Sequence, residues 1–259
     1  GMSKVSERAI GHPHLVGRTK SPQRVLTRLV AATVNYAIAQ GISLEEITAE
    51  TGIRRFDLIE DDSRLPDGLI ASIWGLIKKG GRSKACGLHM ALATPTSVLG
   101  PCEYLIRYSA NLKMAFESFA QFGAVVADRT QTGFEESETT ATVRIRHPLD
   151  ETDGGNTGEL GLTIFYRLLD ECLQNNRLAG VDFLHQANAP KQLYEELFGV
   201  PVRFSQPFNA LHYQREALHE PMKEADDHLY RYALANIELL QDRWLIPGSR
   251  SLLSQIYAA

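Results

Sequence analysis

From Val25 the apolar positions recur at helical spacing, with Leu26, Leu29, Val30, Thr33 and Ala37 on one face and "QGIS" ending the run at Gly41. In "SLEE" the Ser43 hydroxyl can cap the free amides of a second helix while Glu46 reaches back to the Ser43 amide. Helical runs follow in "DGLIASIWGLIKK" from Asp67, "SKACGLHMALA" from Ser83, "CEYLIRY" from Cys102 and "NLKMAFESFAQFG" from Asn111, the last with Leu112, Phe116, Phe119 and Ala120 on one face. Up to Gly123 the chain reads as an all-helical half.

The period then changes from 3.6 to 2. "TATVRIRH" places Ala141, Val143 and Ile145 on one side and Thr142, Arg144 and Arg146 on the other, which is a strand; "AVVADRTQTGFEES" supplies its hairpin partner. "PLDETDGGNTGE" reads as a surface loop, because its glycines lack the Lys-Ser/Thr of a phosphate loop and no strand immediately precedes them. "ELGLTIFYRLLDECLQ" is apolar around most of its circumference, so the helix it forms is covered on more than one side. "GVDFLHQ", helical "KQLYEELFG", "VPVRF" and "NALHYQ" follow, giving the order ββαβαββ around an antiparallel sheet. Helix "ELF" stops at Gly199, Pro201 and Pro207 reverse the chain, and Phe204 and Phe208 are expected to pack under the sheet. A last helix spans Asp226 to Leu245, capped by Asp226, with Leu229, Ala233, Ile237, Leu240 and Trp244 on one stripe. The fold class is α+β. The expected parts are a tail at 1–21 that carries His12 and His14, a helical subdomain at 22–123, an α+β subdomain at 124–222, and a terminal helix with the start of a linker at 223–259.

Composition changes this picture little but narrows the chemistry. With 44% apolar and 22% charged residues in 259, the chain is long enough for a sizeable core and is neither disordered nor fibrous. Its 27 Lys plus Arg against 31 Asp plus Glu leave a net charge of −4, which does not mark a nucleic-acid surface. "GISLEEITAETGIRRFDLIEDD" mimics a helix-turn-helix, yet Asp57, Glu60, Asp61 and Asp62 on the would-be reading helix repel phosphates. Three separated cysteines, Cys86, Cys102 and Cys172, make neither a zinc set nor a disulfide framework and fit a reducing cytoplasmic setting. No run approaches the ~18 apolar residues that mark a membrane span.

No nucleophile elbow, zinc helix, Walker loop or dinucleotide fingerprint is present, so an enzyme is not expected, nor is a metal or cofactor. Two sets of candidate ligand-binding residues stand out. Tyr104, Arg107 and Tyr108 place one cation and two phenols on adjoining helical positions, where they could meet a carboxylate. Tyr166, Arg167, His185 and Tyr213 put polar groups in a mostly apolar layer. For the first set the alternative is an arginine stem packed over aromatics at an interface.

Two stretches carry a family resemblance: "YLIRYSANLKMAFESFAQF" at 104–122 and "VDFLHQANAPKQLYEELFGVPVRFSQPFNALHYQREALHEPM" at 181–222, in that order and at that separation. Together they resemble the amino-terminal sensor region, labelled an arabinose-binding type domain, of AraC/XylS-type transcription regulators. The resemblance implies a small-molecule effector and a homodimer. It also implies operator DNA reached only through a carboxy-terminal double helix-turn-helix domain, with RNA polymerase as a further partner of a full-length protein. No such domain follows Trp244 in these residues, and "SRSLLSQIYAA" resembles the linker leading to it. The rival readings are a stand-alone small-molecule-binding protein and an enzyme of unfamiliar type.

Overall fold

The structure is a computed structural model that describes residues 23–59, 62–82, 84–244 and 246. The expected tail with His12 and His14, and the linker-like run after Gly248, lie outside the described residues. The first half contains α1 (Thr27–Ala39), α2 (Leu44–Thr51), α3 (Gly68–Lys79), α4 (Cys86–Ala93), α5 (Pro101–Arg107) and α6 (Leu112–Phe122). Ser43 caps α2 by accepting from the Glu46 amide at 3.1 Å, and Asn111 caps α6 by accepting from Met114 N at 2.9 Å.

This half is not purely helical. Arg24–Leu26 forms strand β1, paired antiparallel with β2 (Arg64–Pro66), where sequence periodicity extends the first helix back to Val25. The helix instead starts at Thr27, because the backbone of 24–26 is taken up by β2 on one side and by the segment at 126–128 on the other, with Leu26 N donating to Val126 O at 2.9 Å and Asp128 N to Arg24 O at 2.8 Å. At the place where a helix-turn-helix would put its reading helix, the described chain after α2 makes a four-residue 3-10 turn, Arg55–Leu58.

The second half runs β3 (Gln131–Glu136), β4 (Thr140–Arg146), α7 (Asn156–Cys172), β5 (Leu178–Asp182), α8 (Lys191–Phe198), β6 (Val202–Arg203) and β7 (Asn209–Gln214). These strands form one five-stranded sheet in the order β3-β4-β7-β5-β6. All pairings are antiparallel except β5–β6, which is parallel because α8 returns the chain along the same direction. On its outer face a polar chain crosses the strands: Thr142 Oγ1 meets His212 Nδ1 at 2.8 Å, His212 Nε2 meets Asp182 Oδ2 at 2.8 Å, and the two Asp182 oxygens each accept from the Arg203 guanidinium at 2.9 Å.

Helix α7 lies between the sheet and the helical half. It packs on α4 and α5 on one side and on β4 and β7 on the other, so its buried set runs round the whole circumference, from Leu160 and Leu162 to Ile164, Phe165, Leu168 and Leu169. One continuous buried cluster includes residues from α1 and α3 through α6, α7 and the sheet to Ile237 of α9 (Asp227–Trp244). Asp226 caps the approach to α9 by accepting from Leu229 N at 3.0 Å. Leu229 itself is exposed, and the inward stripe of α9 is Ala233, Ile237, Leu240 and Gln241. Phe204 packs against Phe183 and Tyr194 as expected of a buried ring, but Phe208 is exposed with the Arg144 guanidinium over its face at 4.9 Å. Alternation about Pro207 turns Phe208 to the solvent side of the sheet.

Candidate functional site

Strand β4 leaves the sheet at Arg146, and the next four residues fold back on themselves. The His147 backbone N donates to Asp150 Oδ2 at 2.9 Å, and Leu149 N donates to His147 Nδ1 at 3.1 Å. His147 Nε2 lies 2.9 Å from Asp128 O, which fixes the ring as the neutral tautomer protonated at Nε2. Burial, the main cause, also lowers the His147 pKa. Asn209, at the start of β7, donates from Nδ2 to the same Asp150 Oδ2 at 3.1 Å. Its Oδ1 accepts from Leu184 N at 2.9 Å, so its amide orientation is set by two partners.

These three residues close one end of a cavity of ≈ 80 Å³ at the junction of the two halves. The remaining wall is mostly apolar, with Leu29 of α1, Phe119 of α6, Val126, Ile145 of β4 and Ile164 of α7 among it. Two glycines of α7 face it. A Cβ on Gly158 would stand 2.6 Å from Asn209 Nδ2 and 3.1 Å from Asp150 Oδ1, so glycine is what lets the helix approach this polar end.

Asp150 is 5% exposed, and its Oδ1 accepts no hydrogen bond among the described residues. Burial pushes its carboxyl up to about 6, helped by Asp153 and opposed by the His147 backbone N–H, His185 and Asn209. A carboxyl held above its ordinary 3.8 favours the folded state while protonated. That contribution is intact below about pH 4 and is lost as the pH rises through about 6; at ~1.36 kcal/mol per pKa unit it amounts to about 3 kcal/mol. Asp150→Asn should therefore match the wild type in stability near pH 4 and exceed it by up to about 3 kcal/mol at pH 7. Urea unfolding across this range measures the gap, and parallel stability curves for the two proteins would refute the assignment.

A second polar cluster sits behind the first. Glu159 is fully buried, and its Oε1 accepts from Tyr194 Oη, from His185 Nε2 at 2.7 Å and from Asn188 Nδ2 at 3.3 Å. Gly155, at φ +86°, permits this, since a Cβ there would fall 2.0 Å from the His185 ring. Asp153 holds the turn into α7 by accepting from Gly155 N and Thr157 N, each at 2.8 Å. The stretch expected to be a plain surface loop is thus packed against buried polar groups. His185, with Lys84 and residues 186–189, also edges an open depression of ≈ 560 Å³.

The seven residues singled out from the sequence fall in three places. On the surface, Tyr104 and Tyr108 stack at 6.2 Å with 11° between their planes. Between them in sequence, Arg107 spends its guanidinium on Glu224 at 2.8 Å, Glu171 at 3.0 Å and Glu103 at 3.3 Å. Burial works against that charge, but the hydrogen bonds to Glu224 and Glu171 outweigh it and raise the Arg107 pKa. In the interior, Tyr166 meets Asn176 at 3.3 Å and packs edge-on to Phe198, and Tyr213 is fully buried with no hydrogen bond to its hydroxyl among the described residues. Burial raises the pKa of both phenols. Arg167 donates from Nη1 to Ala91 O and Thr94 O, both at 2.6 Å, and thereby holds the end of α4 against α7. His185 belongs to the Glu159 cluster. None of the seven is among the described residues that line the cavity.

Sequence reasoning missed His147, Asp150, Glu159 and Asn209. The available signals were a carboxylate three residues after His147 in "HPLD", which is a cap pattern, and Glu159 opening an otherwise apolar helix. Among the described residues no group of three or more His, Cys, Asp or Glu is placed to hold a metal ion, and no helix is long and apolar enough to cross a membrane. Cys86, Cys102 and Cys172 are buried thiols rather than disulfides, and burial pushes those of Cys102 and Cys172 up to about 12 and about 11.

Comparison with known proteins places this geometry in a family. No curated protein sequence matches the chain. A solved structure that shares its fold is that of the transcriptional regulator CdpR from Pseudomonas aeruginosa, at TM-score 0.60 and 16% identity, covering 83% of this chain; the chain spans 65% of the length of that one. Residues 41–222 match the model of the arabinose-binding domain found at the N-terminus of the AraC transcription regulator. The chain belongs to the family of N-terminal arabinose-binding domains of AraC-type transcription regulators.

Proposed function

We propose that this chain is the effector-sensing and dimerisation region of an AraC-type regulator, which responds to a small molecule and passes the response to an attached DNA-binding domain. The observation that carries the reading is the cavity at the junction of the helical half and the sheet, since a ligand there touches α1, α6, α7 and β4 together. A ligand shifts a conformational equilibrium only through contacts that differ between the two states, and a site shared by several elements offers such contacts. The reading is non-enzymatic, and in it operator DNA and RNA polymerase are partners of the full-length regulator in the cytoplasm. Dimerisation is supported by the outward face of α9, where Tyr232 is 76% and Leu239 60% exposed.

The test is a thermal-shift screen of the 259-residue chain against amino acids, polyamines, sugars and fatty acids, followed by a promoter-reporter assay of the full regulator with any hit. A native-state ligand raises Tm by mass action. The expected result is a hit that also changes reporter output. A hit without reporter response, or no hit in either assay, would remove the sensor role and leave a dimerisation scaffold.

A further inference from the structure

We infer that the junction cavity is a ligand subsite for the end of a small, mostly apolar molecule that presents one hydrogen-bond donor, a hydroxyl or an ammonium, to Asp150 Oδ1. The inference deepens the sensor reading and rests on it. The wall of the cavity is largely apolar, and its polar end has its other groups already engaged: His147 through both ring nitrogens, Asn209 through both amide atoms, and Asp150 through Oδ2. Asp150 Oδ1 remains as a buried acceptor with no hydrogen-bond partner among the described residues, and it lies against the lining residue Gly158. A buried acceptor without a donor is costly, and a ligand donor relieves that cost.

Gly161 adds an independent observation. It sits inside α7 and lines the cavity, and a Cβ there would meet only Ile145 Cδ1 at 3.6 Å, an ordinary contact. Alanine would fit and would suit the helix better than glycine. The position therefore keeps space open at a cost in stability, the trade expected where function needs room. The volume of ≈ 80 Å³ corresponds to about five to eight water-sized positions and accepts a head with a few carbons, not a whole sugar.

Methyl NMR of the 259-residue chain reads occupancy at Ile145 and Ile164, with 1-butanol, n-butylamine and butyrate as probes. Saturable shifts are expected with butanol or butylamine and not with butyrate, and whichever of the two binds names the donor. Asp150→Asn can keep the bonds from His147 and Asn209 on its amide oxygen while turning an N–H toward the cavity. It should weaken the bound donor probe about tenfold or more and admit butyrate. Gly161→Ala should raise Tm by about 2–4 °C while weakening the same probe, and keeps the test decisive should the Asn variant not fold. Methyl signals unmoved by every probe, a cavity that holds water only, or equal donor binding by all three proteins would overturn the inference. An effector from the screen whose Tm shift is identical in wild type and Gly161→Ala would sink this subsite and leave the sensor reading standing; a silent reporter with intact probe binding would do the reverse.

Discussion

Glu159→Ala should cost about 3–5 kcal/mol and lower Tm by about 10 °C, because it removes the buried acceptor shared by Tyr194, His185 and Asn188. Tyr194 Oη and His185 Nε2 converge on Glu159 Oε1, joined by the half-buried Asn188 Nδ2, which also donates to Gly154 O at 2.8 Å; the fully buried Tyr194 cannot turn to water without moving α8. The penalty arises from the stranded partners more than from the lost carboxylate itself. Glu159→Gln separates the two. Its amide oxygen can accept from the same donors, leaving its own N–H₂ where Oε2 lacks a partner among the described residues, so the loss should be less than half that of the Ala variant. Calorimetry of both variants checks this; equal losses would show that the charge, not the acceptor, holds the cluster together.

The second large effect is expected at Phe116, which is fully buried in α6 and touches rings from three other elements. Its centroid lies 5.5 Å from Phe134 of β3, 5.5 Å from Tyr213 of β7 and 6.5 Å from Phe165 of α7. Phe116→Ala deletes a large apolar surface and opens a void that two strands and a helix would have to collapse together to fill, which places the cost at about 3–5 kcal/mol. Since the buried cluster runs without a break from α1 to the sheet, the variant should still melt in a single transition detected alike by far-UV and near-UV dichroism. Separate transitions for the helical half and the sheet would contradict the continuous core.

Much of the α+β architecture was legible because it is written locally. Alternation in "TATVRIR" marks β4, and the helical spacing in "NLKMAFESFAQF" marks α6 with its Asn111 cap. Ser43 and Asp226 announce their helices by residue type alone. What escaped is non-local. Strands β1 and β2 have three residues each, too few to show a period, and exist only because residues some forty apart pair. The direction of β5 against β6 depends on the path of α8, which no alternation encodes.

The binding candidates show the same boundary. A lone Arg107 in sequence invites an anion, but Glu171 and Glu224, 64 and 117 positions away, converge on it once α7 and α9 are in place. Asp150 and Asn209 are 59 positions apart and meet because the register of β4 on β7 puts Ile145 opposite Asn209. Cap geometry and an isolated carboxylate were readable in principle; the cavity they close was not.

Among the described residues the five-stranded sheet ends on β3 and β6, and neither margin invites a further strand. β6 is two residues long and begins just after Pro201, while β3 carries Glu135 and Glu136 at the end of its outer edge. Short, proline-flanked or charged margins discourage edge-to-edge pairing between molecules. Fibril-like stacking through the sheet is thereby suppressed, and contact between two copies is steered toward helical surfaces.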